Sequence, residues 1–88
     1  MNNTRNHNGN LNIVGKKIQY YRKLNNLSYQ KLSDKLMLYG VDIHRQSIYK
    51  IEIGLRTVVD YELCAFAKCL NVTVNDLIVD FFTELDNT

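Results

Sequence analysis

The stretch IHRQSIYKIEIG, residues 43–54, holds Arg45, Gln46, Tyr49 and Lys50 among isoleucines and stops at a glycine. At 100° per residue with Arg45 set at zero, Arg45, Tyr49, Ile53, Gln46 and Lys50 share an arc from roughly 0° to 140°. Ser47, Ile51, Ile48 and Glu52 share the opposite arc, roughly 200° to 340°. A helix of these residues has an apolar seam and a face carrying a guanidinium, an amide, a phenol and an ammonium. Gly54 is its stop, since a residue without a Cβ takes the left-handed conformation at little cost. His44 and Asp42 both offer an acceptor to the first turn, and the sequence leaves that choice open. With His44 as cap, Ile43 and Ile48 would make a hydrophobic staple.

Working outward, the flanking segments also read as helices. Val14, Ile18 and Tyr21 recur at i, i+4, i+7, with Lys16, Lys17, Gln19 and Lys23 off the stripe. Asn25-Asn26 ends that helix, because asparagine tolerates the left-handed turn. Ser28 is a good cap for a second helix to about Tyr39, with Leu32 and Leu36 inward and Ser33 small enough for another helix to approach. Lys31 stands where a capping box would place Glu, so the cap is the simple kind. Gly40 closes this helix.

After the loop LRTVV, Asp60 is expected to cap a fourth helix with Leu63, Phe66, Ala67 and Leu70 inward. Asn71 turns the chain, and Thr73 caps a fifth helix with Val74, Leu77, Ile78 and Phe81 inward. There is no proline, no internal repeat and no strand candidate longer than a few residues. The expected fold is all-α with five helices. A flexible, asparagine-rich arm is expected over residues 1–11, before a domain over 12–80, and a tail covers 81–88. Arg5 is the arm's available cation.

Bulk properties bound the function. Eighty-eight residues supply one core and leave little chain for an elaborate active site. No apolar run approaches the roughly 20 residues of a membrane span, and the N-terminus lacks a signal-peptide core, so a cytoplasmic location is expected. Cys64 and Cys69 would lie roughly 140° apart on one helix, cannot pair, and read as small core residues. They form no ligand spacing with His7 or His44, so no metal is expected. The sequence displays no Ser/His/Asp or Cys/His set, no paired carboxylates and no glycine-rich phosphate loop. An enzyme is therefore the weakest class, and no cofactor is called for.

Charge is unevenly spread. Residues 1–56 hold ten of the eleven Lys/Arg against Asp34, Asp42 and Glu52, a net +7. Residues 57–88 hold Lys68 against six acids, a net −5. A chance dipole is the bland reading; a polyanion-facing surface is the sharper one. The polar face of residues 45–50 suits the second. Arg can bond guanine O6 and N7, Gln can bond adenine N6 and N7, Lys can reach guanine or phosphate, and Tyr can meet a phosphate or a thymine methyl. Glu52, on the buried edge, needs a cation, and Arg22 is the candidate.

With these pieces in order, the chain resembles the Cro/C1-type (XRE family) helix-turn-helix domain. The resemblance rests on IVGKKIQYYRKLNNLSYQKLSDKL, RQSIYKIEIGLR and YELCAFAKCLNVTVNDLI, roughly residues 13 to 79. It implies a five-helix lambda-repressor-like bundle whose helices two and three form the helix-turn-helix. It further implies His44, Arg45, Gln46, Tyr49 and Lys50 on bases, and Tyr29, Gln30, Lys31 and Arg56 on the DNA backbone. The family's pairing of a late helix-one Arg with the Glu of the IE step maps onto Arg22 and Glu52. Three departures stand out. The chain between Leu36 and Ile43 is about five residues longer than in compact members, Ile53 replaces a common Asn, and the loop after Gly54 keeps Arg56 but few other cations.

The resemblance implies a sequence-specific double-stranded DNA-binding regulator, a repressor by occlusion, acting as a homodimer. Phe82 and Leu85 are the expected dimer contacts, since a bundle this small leaves some of the tail's apolar residues exposed. A frayed end packing on its own domain is the competing reading. The alternative function is a protein-partner-binding module, an antitoxin or adaptor, using the Tyr49 and Ile53 face.

Overall fold

The computed structural model describes residues 8–87. Five helices run α1 (Gly15–Leu24), α2 (Tyr29–Leu38), α3 (Arg45–Glu52), α4 (Asp60–Leu70) and α5 (Val74–Asp86). Among the described residues there is no strand, and no helix is long and apolar enough to cross a membrane. Residues 1–7, including Arg5 and His7, lie outside the described residues.

Four of the helices end the same way. Asn26, Gly40, Gly54 and Asn71 each take a positive φ, between 55° and 83°. At each, two backbone N–H groups reach back to the last turn. Gly40 donates to Met37 O and Val41 to Leu36 O; Gly54 donates to Ile51 O and Leu55 to Lys50 O. This paired closure satisfies carbonyls that a helix end otherwise leaves bare. After α2 it also folds Val41 onto the core beside Leu36, so the longer connection to α3 begins as a fixed turn.

The helix starts are equally explicit. Ser28 Oγ accepts from Lys31 N at 3.1 Å. Thr73 and Asp76 cap each other's backbone, at 2.9 and 3.1 Å, and the Thr73 N–H holds the Asp76 carboxyl below its ordinary pKa. His44, not Asp42, caps α3, its Nδ1 accepting from Gln46 N at 3.2 Å. The start of α4 corrects the expectation for Asp60. Val59 is the cap residue, and Glu62 reaches back to the Val59 N–H at 3.1 Å. Asp60 is inside the helix, bonded only to the next residue's N–H.

Ile18, Leu32, Leu36, Ile43, Ile48, Ile51, Phe66, Leu70 and Leu77 form the centre of the core and are essentially inaccessible. Cys69 is buried among them, and burial raises its thiol pKa; Cys64 is exposed. The expectation of two core cysteines is thus half corrected, for the reason that the two directions differ around α4. α1 packs on α3, α4 and α5, and α2 packs on α3 and α4. The two backbones come close at Gly15, where an added Cβ would run into the backbone carbonyls of Ile51 and Glu52. That contact seats the start of α1 directly on the end of α3.

Candidate nucleic-acid interface

Helix α3 is held from behind and bare in front. Ile48 and Ile51 are fully buried and Glu52 nearly so, whereas Arg45, Gln46, Tyr49 and Lys50 are exposed. His44 at the cap is exposed too. The apolar seam therefore spends itself on α1, α2 and the core, leaving four polar side chains along one free surface. On α2, Gln30 and Lys31 are exposed beside them. Gln30 bonds Asp34 at 3.0 Å, and Arg45 reaches Gln30 Oε1 at 3.4 Å, a long contact that a better partner can replace.

Behind this face lies a buried ionic cluster. Arg22 Nε donates to Glu52 Oε2 at 2.6 Å and Nη2 to Oε1 at 3.1 Å. Arg22 Nη1 also donates to Leu27 O at 3.0 Å, which fixes the turn between α1 and α2. The carboxylate raises the Arg22 pKa, chiefly through the hydrogen bond, so the cation is permanent. Tyr29 completes the cluster. Its hydroxyl donates to Glu52 Oε1 at 2.9 Å, and its ring lies under the Arg22 guanidinium, 4.1 Å from the centroid. Burial, then the bond to Glu52, raises the Tyr29 pKa. Three helices thus meet at one carboxylate.

Two of the residues expected on phosphates already have partners within the protein. The single hydroxyl proton of Tyr29 goes to Glu52, so its ring faces α3 while Gln30 and Lys31 occupy the open surface. Arg56 makes a two-pronged pair with Glu62, both bonds at 3.0 Å, and also donates to Thr57 O. The pair raises the Arg56 pKa and lowers that of Glu62, in both cases mainly through the shared hydrogen bonds. Its charge is consequently matched by a carboxylate in the first turn of α4. Ile53 also departs from the helical wheel. The helix ends at Glu52, and Ile53, in the cap, lines a groove of about 630 Å³ with Asn10, Lys16 and Phe81.

Asn12 has a role that no helical repeat or cap rule marks. Its Oδ1 accepts from Val14 N and Gly15 N at 2.9 and 2.7 Å, serving the first turn of α1. Its Nδ2 donates to Ile51 O and Arg56 O at 2.9 and 2.8 Å. With Leu11 N donating to Gly54 O at 2.8 Å, this clasp fixes the chain before α1 to the end of α3. An asparagine shortly before a helix is the faint signal; its long-range acceptors carry none.

Phe82 and Leu85 stand on the last turns of α5, about half exposed at 51% and 50%. Among the described residues no group of His, Cys, Asp or Glu is arranged to hold a metal ion.

A short second and third helix packed on each other, with the third locked from behind and open in front, define a helix-turn-helix domain. A family model described as helix-turn-helix matches residues 18–77. The chain belongs to the Cro/C1-type helix-turn-helix family, a family of DNA-binding regulators. No curated protein and no solved structure matches it significantly.

Proposed function

We propose that the protein is a sequence-specific double-stranded DNA-binding repressor that reads the major groove with α3. The observation that carries this reading is the division of α3 into a fully buried seam and an exposed row of Arg45, Gln46, Tyr49 and Lys50. In this reading Arg45 and Gln46 bond base edges, and His44, Tyr49 and Lys50 meet bases or phosphates. Gln30 and Lys31 bind the backbone and set register. Arg56 joins them only by exchanging Glu62 for a phosphate.

The tail supports a two-fold dimer through Phe82 and Leu85, which would place two copies of α3 on a palindromic site. Selection of bound duplexes from a random DNA pool tests both ideas, with a palindromic motif as the expected result. If sedimentation at tens of micromolar gave only monomer and Phe82→Ser bound DNA as tightly as the parent, the dimer would be lost.

A second reading, a partner-binding module of the antitoxin or adaptor kind, is favoured by Ile53, 41% exposed in the groove it shares with Phe81. Steep salt dependence of duplex binding separates the two, because only phosphate contacts release counterions.

A further inference from the structure

An apolar notch of about 230 Å³ opens between α3 and the first turn of α2. Its walls are Tyr29, Arg45, Gln46 and Tyr49, and its lining is wholly apolar. Two of the four walls have their polar ends occupied elsewhere. The Tyr29 hydroxyl bonds Glu52, and the Arg45 guanidinium leans to Gln30. The Tyr29 and Tyr49 rings meet edge to face, centroids 6.1 Å apart and planes at 85°. Tyr29 is fixed twice over, through its hydroxyl and through the guanidinium stacked on its ring. One wall of the notch is therefore anchored to the buried cluster before any ligand arrives.

We propose that this notch receives the 5-methyl group of a thymine, which makes Tyr29 and Tyr49 a methyl-reading pair beside the hydrogen-bonding Arg45 and Gln46. The inference rests on α3 being the DNA-reading helix. In unmodified DNA the thymine methyl is the apolar group that a base pair offers in the major groove. A carbonyl, ring nitrogen or amino group pressed against the two tyrosine rings would lose its water and gain no partner from them, so the rings select by exclusion as well as attraction. The position of the notch, between two donors and acceptors on successive residues of α3, makes it a neighbour of whichever base those residues bond. Tyr29 acquires a reason for its ring where its hydroxyl serves only the protein. 5-Methylcytosine carries the same group, and the test separates the two sources.

In a duplex taken from the selected pool, each dT is replaced singly by dU, which removes the methyl and keeps every hydrogen bond. At one position per half-site, binding should weaken about fourfold, the worth of one buried methyl, with the other positions unchanged. Tyr49→Ala should erase the difference between dT and dU there, and Tyr49→Phe should keep it. Tyr49 is half exposed, and a circular dichroism spectrum checks that both variants fold. A selected half-site without a fixed thymine, or one in which every dU is neutral, overturns the notch and leaves α3 as the reading helix. A gain on exchanging cytosine for 5-methylcytosine, with no loss from any dU, assigns the notch to methylated DNA and overturns thymine. Absence of any salt-dependent duplex binding sinks both this inference and the reading beneath it.

Discussion

Two arginine–glutamate pairs flank α3, and they act in different places. Arg22 and Glu52 are distant in sequence, join α1 to α3, and keep side-chain exposures of only 10% and 0%. Arg56 and Glu62 are near in sequence, join a loop to the start of α4, and leave the arginine 31% exposed. The first pair decides where the outer face of α3 points and holds Tyr29 against it. The second begins a helix and, in doing so, withdraws a cation from the surface. Ionic pairing thus both builds the proposed reading face and limits its charge.

Removing Glu52 should have the largest effect. Glu52→Ala strands a buried guanidinium and deprives Tyr29 of its acceptor, and unpaired buried charges cost about 3–5 kcal/mol. For a domain of ordinary stability that is a large share of the total. Denaturant titration should show the loss, and a change below about 1 kcal/mol would mean that the cluster does not organise the fold.

Glu62→Gln should cost less, about 1–2 kcal/mol, because the arginine of the pair it weakens is 31% exposed and keeps water as a partner. It should also free Arg56, so duplex affinity rises and the salt slope steepens by about one phosphate. The pH dependence has a definite sign. The Glu62 carboxyl sits below its ordinary value of 4.5 in the folded chain. Its contribution is therefore complete above that value and is lost as pH falls through the lowered one. Glu62→Gln should flatten that part of the acid unfolding curve; an unchanged curve would show that the pair adds nothing to acid stability.

Lys31→Ala is expected to do least to the fold. Stability should stay within about 0.5 kcal/mol, while binding to all sequences weakens alike and the salt slope falls by about one. Its effect on the slope should be opposite to that of Glu62→Gln. If both variants moved the slope the same way, the separation of surface cations from structural ones would be mistaken.

Local rules made most of the fold legible. Ser28, Thr73, Gly40, Gly54, Asn26 and Asn71 are residues whose chemistry fits one position at a helix end, and they occupy it. The 3.6-residue repeat placed Ile48, Ile51, Leu32 and Leu36 inside because burial depends only on which way a helix faces. Glu52 was legible by a different route, since a carboxylate on a buried edge requires a cation. What sequence could not give was competition between partners. The resemblance implies a phosphate contact for Tyr29, and Glu52 lies within reach of its hydroxyl only after three helices pack. Arg56 meets Glu62 only once the loop folds, across a spacing that no helical repeat describes. Asp60 was preferred as a cap on type, but Glu62, two residues later, already serves the Val59 N–H. The His44 and Asp42 alternatives differed only in backbone path, which the turn after Gly40 decides.

The claim that α3 reads sequence is met most directly at Arg45. The site preferences of the parent and of Arg45→Ala should be compared by selection from the same random duplex pool. The expected result is a motif relaxed at one base pair per half-site, with a cost of about 1–3 kcal/mol there and little change elsewhere. An identical motif bound with identical affinity would contradict the assignment of the reading face.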